Sequence, residues 1–229
     1  MLAAVALTPG MVMERIVRPL AFTTIGVILG AGIALSIVAI GFGGPVKPRT
    51  FSGAVAADDI YDGDTFWLGD VSLRLVGVDA PERSQLCVGP HRDCGEDAKR
   101  HLAGLLNGAL VQCRSTQNSR GAYVESFGRP LVQCEVRPSG GDAFDLGERM
   151  IQDGYAIFYR GRSRAGSAAP FQQGYADAEN AAIESQAGLF SGCILDPKVW
   201  RGSRSGSQRE AFEQGRIEGE QTELIGRCR

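Results

Sequence analysis

From Leu20 to Phe42 the chain runs for 23 residues without a charge, and Ile25, Val27, Ile28, Leu29, Ile33, Leu35, Ile37 and Val38 make the run strongly apolar. As a helix rising ~1.5 Å per residue it is long enough to cross a hydrocarbon core ~30 Å thick. A buried helix of a globular domain would carry a polar face, and this run has none. The chain is therefore expected to open with a cytoplasmic segment, 1–19, followed by a transmembrane anchor or signal sequence, 20–42. Arg15 and Arg18 ahead of the run favour a cytoplasmic N-terminus and export of the remainder, while Lys47 and Arg49 oppose that bias. Ala54-Val55-Ala56 has the small-x-small spacing of a signal-peptidase site, but the apolar run is long for a leader and the site lies far from it. The expectation is a retained single-pass anchor in the cell membrane with the domain outside the cytoplasm. A secreted form is the alternative.

Six cysteines, at 87, 94, 113, 134, 193 and 228, form an even set that suits an exported chain better than a reducing cytosol. Cys113 and Cys134 sit in strand-like runs that could be neighbours, Cys87 and Cys94 would close a short loop, and Cys193 and Cys228 would tie the tail to the domain. A zinc site on Cys87, His91 and Cys94 lacks a good fourth ligand.

With 44% hydrophobic residues the chain has room for one ordinary core, assigned here to 54–200, between a Gly/Pro-containing linker, 43–53, and a polar tail, 201–229. Strands are expected at Asp59–Tyr61, Thr65–Leu68, Val71–Val78, Ala109–Arg114 and Pro130–Val136. Helices are expected over 96–107, over 146–153 behind the capping-box spacing of Asp145 and Glu148, and over 171–185. The order suits an α+β fold: a five-stranded OB-type β-barrel with three packed helices, preceded by the N-terminal transmembrane helix. Residues 51–200 hold 14 Lys and Arg against 20 Asp and Glu, a net of −6, which excludes a generally basic nucleic-acid-binding surface. A polyanion would have to be drawn by a local positive site and a bound metal.

Three charged clusters lie at strand ends or in loops, where a scaffold can aim side chains at one point. They are Asp62-Gly63-Asp64-Thr65, the run from Arg74 to Asp79-Ala80-Pro81-Glu82, and Phe127-Gly128-Arg129. Singly, each is an ordinary turn, helix start or surface ion pair. Together they supply hard oxygen ligands for a cation, a carboxylate to take a proton from water, and two guanidiniums for phosphoryl oxygens. Arg74 and Asp79 are five positions apart, ~17 Å along a straight strand, so they can share one site only if the strand bends, for which Gly77 is the candidate. The two histidines, His91 and His101, fall outside these clusters, against a histidine-based nuclease.

In order and spacing the clusters resemble the staphylococcal nuclease (thermonuclease-like) family, whose pattern runs Asp-Gly-Asp-Thr, Arg-Leu-x-x-Val-Asp-x-Pro-Glu and Tyr-Gly-Arg. The resemblance implies a calcium-dependent nuclease that hydrolyses phosphodiester bonds of DNA and/or RNA by metal-assisted attack of water. It implies Asp64, Asp79 and the main-chain carbonyl of Ala80 as ligands of Ca²⁺, Glu82 as the base, and Arg74 and Arg129 as the phosphate clamps. Phe127 stands where the family has Tyr, which alters nucleotide contacts, and Tyr159 is a candidate to stack on a base or sugar. The membrane, through the N-terminal helix, and the nucleic-acid substrate are the expected partners, with no obligate protein partner. The competing reading is a non-catalytic OB-type module, tethered to the membrane, that binds nucleic acid or protein.

Overall fold

The computed structural model describes residues 48–90, 93–118, 120–159, 171–202 and 224–226. The chain divides into two units, Met1–Phe42 and Gly43–Arg229, and every described residue belongs to the second. The expected membrane segment lies outside the described residues, as do His91 and Cys228; no helix among those described is long and apolar enough to cross a membrane.

In chain order the elements are β1 (Thr50–Gly53), β2 (Thr65–Leu68), β3 (Val71–Leu75), β4 (Val78–Asp79), α1 (Cys94–Leu106), β5 (Leu110–Ser115), β6 (Glu125–Ser126), β7 (Arg129–Arg137), β8 (Phe144–Asp145), α2 (Leu146–Gln152), β9 (Ile157–Phe158), α3 (Phe171–Ser185), β10 (Cys193–Leu195), α4 (Pro197–Gly202) and β11 (Leu224–Gly226). The main sheet runs β1-β5-β7-β3-β2, with β6 and β8 also paired to β7. Among the described residues, only β3 and β7 run parallel within it. Strict alternation explains the inner face: Val111 and Cys113 on β5 and Val132, Cys134 and Val136 on β7 are buried, while Gln112, Arg114, Gln133 and Glu135 between them are not. Against that face pack Leu102 and Leu106 of α1, Leu146, Met150 and Ile151 of α2, and Tyr175 of α3.

The mixed α+β class holds, but several expectations are corrected. No ladder joins β1 to β2 among the described residues, so the five-stranded closed barrel becomes an open path of strands. The reason is local: the free edge of β2 is occupied by its own lead-in, through the Ile60–Phe66 bridge and the Tyr61 N–H donated to the Thr65 carbonyl at 2.9 Å. The strand expected at Asp59–Tyr61 reduces to that bridge. The linker 43–53 ends in a strand, because Phe51 and Gly53 turn toward the core when β1 pairs with β5. Four α-helices are present among the described residues where three were expected, and Leu224–Gly226, within the stretch read as a polar tail, pairs with β10.

Two disulfides, Cys87–Cys94 and Cys113–Cys134, staple the loop before α1 and the β5–β7 pair, where the two cysteines face each other in register. The first removes the zinc alternative at Cys87 and Cys94. Cys193 is disulfide-bonded as well.

Candidate active site

β3 carries Arg74 and ends at Leu75; Gly77, at φ 72°, then turns the chain so that β4 can start at Val78 and pair with β9. Glycine takes that left-handed conformation without the steric cost of a Cβ. The turn supplies the bend that the separation of Arg74 and Asp79 requires. Arg74 Nη2 lies 2.8 Å from Asp64 Oδ2 and 3.2 Å from Asp79 Oδ1.

Asp64 is delivered by the turn before β2, in which its N–H donates to Asp62 Oδ1 at 3.1 Å. Its two carboxylate oxygens are held separately: Oδ1 accepts from Thr65 Oγ1 at 2.8 Å, and Oδ2 accepts from the Ala80 N–H at 3.3 Å and forms an ion pair with Arg74. Asp64 and Asp79 are only 2% and 1% exposed, so neither charge is dissipated by water. Burial pushes the Asp64 carboxyl well above the usual aspartate range; the neighbouring Asp62 and Asp79 charges add to this, and Arg74 and the Thr65 hydroxyl offset it only in part.

That direction fixes a pH dependence. A carboxyl whose folded-state pKa is raised gives stability that is fully present below its unfolded value, ordinarily 3.8, and lost as pH rises through the folded value. In the absence of divalent cations, the melting temperature of the native chain is therefore expected to fall relative to Asp64→Asn as pH increases above 3.8 toward neutrality. Calorimetric scans of both proteins across that range check it. Parallel curves would refute the assignment.

Glu82 sits on the loop after Pro81. Its N–H donates to Gln85 Oε1 at 3.1 Å, and Gln85 Nε2 donates in turn to the Leu195 carbonyl at 2.6 Å, which ties this loop to β10. From below, Gly95 of α1 comes so close that a Cβ on it would stand 1.9 Å from the Glu82 carbonyl oxygen, so no larger residue fits. Arg129 opens β7 after a two-residue turn whose members, Phe127 and Gly128, have φ of 52° and 76°, the signature of a type I′ hairpin. Its Nε donates to the Ser126 carbonyl and its Nη1 to Thr65 Oγ1, each at 3.3 Å. Thr65 thus links Arg129 to Asp64.

One further group, from the stretch expected to be a polar tail, also occupies the site. Arg201, on α4, donates from Nη1 and Nη2 to the two oxygens of Asp79 at 2.9 and 2.8 Å, and from Nη1 to Glu82 Oε1 at 2.7 Å. Partial burial lowers its affinity for a proton, but the bonds and charges of Asp79 and Glu82 outweigh this and hold it firmly protonated. No sequence signal marked it: it stands 122 positions from Asp79, outside every cluster.

Arg74, Glu82, Arg129 and Arg201 line a pocket of about 500 Å³, with Tyr61, Phe127, Tyr159 and Lys198 also at its walls. The chain thus brings Asp64, Asp79 and Arg74 into direct contact, joins Glu82 to them through Arg201, and joins Arg129 through Thr65. Phe127, 96% exposed, and Tyr159, 39% exposed, both present ring surface to solvent. His101 lies elsewhere, stacked on Tyr155 and 2.9 Å from Asp153. Among the described residues no three His, Cys, Asp or Glu side chains form a metal-holding group. A hard cation nonetheless fits the donor chemistry: Asp64 and Asp79 are buried oxygen donors that already converge on one cationic nitrogen, Nη2 of Arg74.

An α+β domain that gathers buried carboxylates and several guanidiniums at one cleft has the equipment of a nuclease-type hydrolase. Residues 72–192, more than half of the chain, match the family model described as Staphylococcal nuclease homologue, and the chain belongs to that family. The matched span includes Arg74, Asp79, Glu82 and Arg129, and it leaves Asp64 on one side and Arg201 on the other. No curated protein matches the chain.

Proposed function

We propose that this protein is a calcium-dependent nuclease that hydrolyses phosphodiester bonds of DNA and/or RNA, tethered to the cell membrane by residues 20–42 with its domain outside the cytoplasm. The observation that carries the reading is the convergence of Asp64 and Asp79 on Arg74 beside a pocket that also holds Glu82 and Arg129. Two disulfides support an oxidising compartment.

Asp64, Asp79 and the carbonyl of Ala80 would hold Ca²⁺, which when bound supplies positive charge against a phosphoryl oxygen. Glu82 accepts a proton from the attacking water as its oxygen bonds to phosphorus and the bond to the leaving nucleoside oxygen breaks. Arg74 and Arg129 orient the phosphate and stabilise the charge that develops on its oxygens. Phe127 and Tyr159 offer stacking faces for bases or sugars.

Cleavage of fluorogenic DNA and RNA by the full chain in mild detergent, with Ca²⁺ or with EGTA, tests this. EGTA is expected to abolish turnover, and Arg129→Ala to lower kcat/KM by roughly 10²–10³, as loss of one preorganised charge donor does. Cleavage that persists in EGTA and is unaffected by Arg129→Ala would remove the mechanism. Binding of the same oligonucleotides with no cleavage would establish the binding-module reading instead.

A further inference from the structure

Arg201 reaches the site from a firmly anchored base. α4 is capped by Asp196, whose Oδ1 accepts from the Lys198 N–H at 2.7 Å, and Trp200 is 1% exposed in a small cluster with Cys193 and Leu195. The Val88–Cys193 bridge fastens β10 to the loop that follows Glu82, and the Gln85–Leu195 bond reinforces it. The backbone at Trp200 is thereby anchored, while the Arg201 side chain is 36% exposed and lines the pocket.

Its position is the informative feature. The guanidinium fork takes both oxygens of Asp79 and one oxygen of Glu82. Bidentate, charge-assisted bonds of this kind are among the stronger polar contacts in proteins. They engage the carboxylate that the proposed reading gives to the cation and the one it gives to the attacking water. Asp79 cannot offer its oxygens fully to a divalent ion while both are committed to a guanidinium. Arg74 differs, since it reaches only one oxygen of Asp79 and its other ion pair is with Asp64.

We infer that Arg201 competes with the cation: it holds Asp79 and Glu82 while no divalent ion is bound and must release Asp79 when one binds. The inference rests on the calcium-nuclease reading and extends it, because Arg201 then sets the concentration of Ca²⁺ at which the site loads. Coupling of this kind is reciprocal, so whatever strengthens the Arg201 contacts weakens the ion and the reverse.

Isothermal titration of Ca²⁺ into the full chain, wild type, Arg201→Gln and Arg201→Lys, decides it without reference to turnover. Arg201→Gln is expected to bind Ca²⁺ about tenfold more tightly, the scale of one good polar contact, and Arg201→Lys, a point charge without the fork, to fall between. Thermal unfolding in EGTA shows that each variant folds, and the Ca²⁺-induced rise in melting temperature should be larger in Arg201→Gln than in wild type. Wild type that binds Ca²⁺ with Arg201→Gln binding no tighter overturns the inference and leaves the nuclease reading standing. Absence of Ca²⁺ binding in wild type and variants overturns both. If Arg201→Gln does not unfold cooperatively, Arg201→Lys decides, and an affinity equal to wild type overturns the inference.

Discussion

Replacing Arg74 by alanine is expected to destabilise the cation-free protein by about 3–5 kcal/mol, the usual cost of removing one partner from a buried ion pair. For a chain of this size that corresponds to a fall in melting temperature of roughly 10 °C. Arg74 is only 18% exposed and its two partners lie at 2% and 1%, so neither water nor salt can replace it. The partners do not suffer equally. Asp79 retains Arg201, whereas Asp64 is left with the Thr65 hydroxyl and the Ala80 N–H.

Two features separate this from ordinary loss of packing. The deficit should shrink as pH is lowered, because Asp64 is already biased toward its neutral form and a protonated carboxyl has no need of the guanidinium. On the calcium reading proposed above, Ca²⁺ should also restore part of the lost stability, since a cation held by Asp64 and Asp79 would supply positive charge in place of the guanidinium. Urea or thermal denaturation of wild type and Arg74→Ala at acid and neutral pH, with Ca²⁺ and with EGTA, provides the measurement. A deficit independent of both pH and Ca²⁺ would show that Arg74 serves only as packing.

Glu82→Gln is expected to leave folding intact and to lower the rate of phosphodiester cleavage by roughly 10²–10⁴, the range attributed to a positioned general base. The change is isosteric, and glutamine retains a carbonyl oxygen that can accept from Arg201. The Glu82 side chain is 33% exposed, so removing its charge should move stability by no more than about 0.5 kcal/mol. Single-turnover cleavage at saturating Ca²⁺, with calcium affinity measured alongside, isolates the proton-transfer role from a binding role. A loss of less than tenfold would transfer the base to another group. A loss matched by weaker Ca²⁺ binding would make Glu82 a ligand.

Much of the core is legible in the sequence. The alternation of Val111, Cys113, Val132, Cys134 and Val136 marks two strands that could be neighbours, while the register that sets Cys113 opposite Cys134 belongs to the folded sheet. Ala98, Leu102 and Leu106 mark α1 by helical spacing, and Asp145 with Glu148 marks the start of α2, where Asp145 does accept the Glu148 N–H at 2.9 Å. The break between β3 and β4 was readable as a geometric demand on Gly77. What escaped was short: β6, β8 and β9 have two residues each and β10 and β11 three, too few for a periodic pattern, and they exist because a partner strand takes up their backbone groups. The closed barrel failed for a related reason, since which segment claims the free edge of β2 is settled by competition in space.

The sequence by itself determined the kinds of chemistry available, because carboxylates, guanidiniums and the glycine that lets a strand turn are properties of residues and of their local order. It also separated an uncharged N-terminal run from a domain with an alternating core. Tertiary structure alone decided that Asp64 and Asp79 share one cationic nitrogen, that Asp64 is buried enough to resist ionising, and that Arg201 arrives from far along the chain to hold Asp79 and Glu82. Those outcomes depend on distances of a few ångströms and on the exclusion of water. Neither quantity exists until the chain has folded.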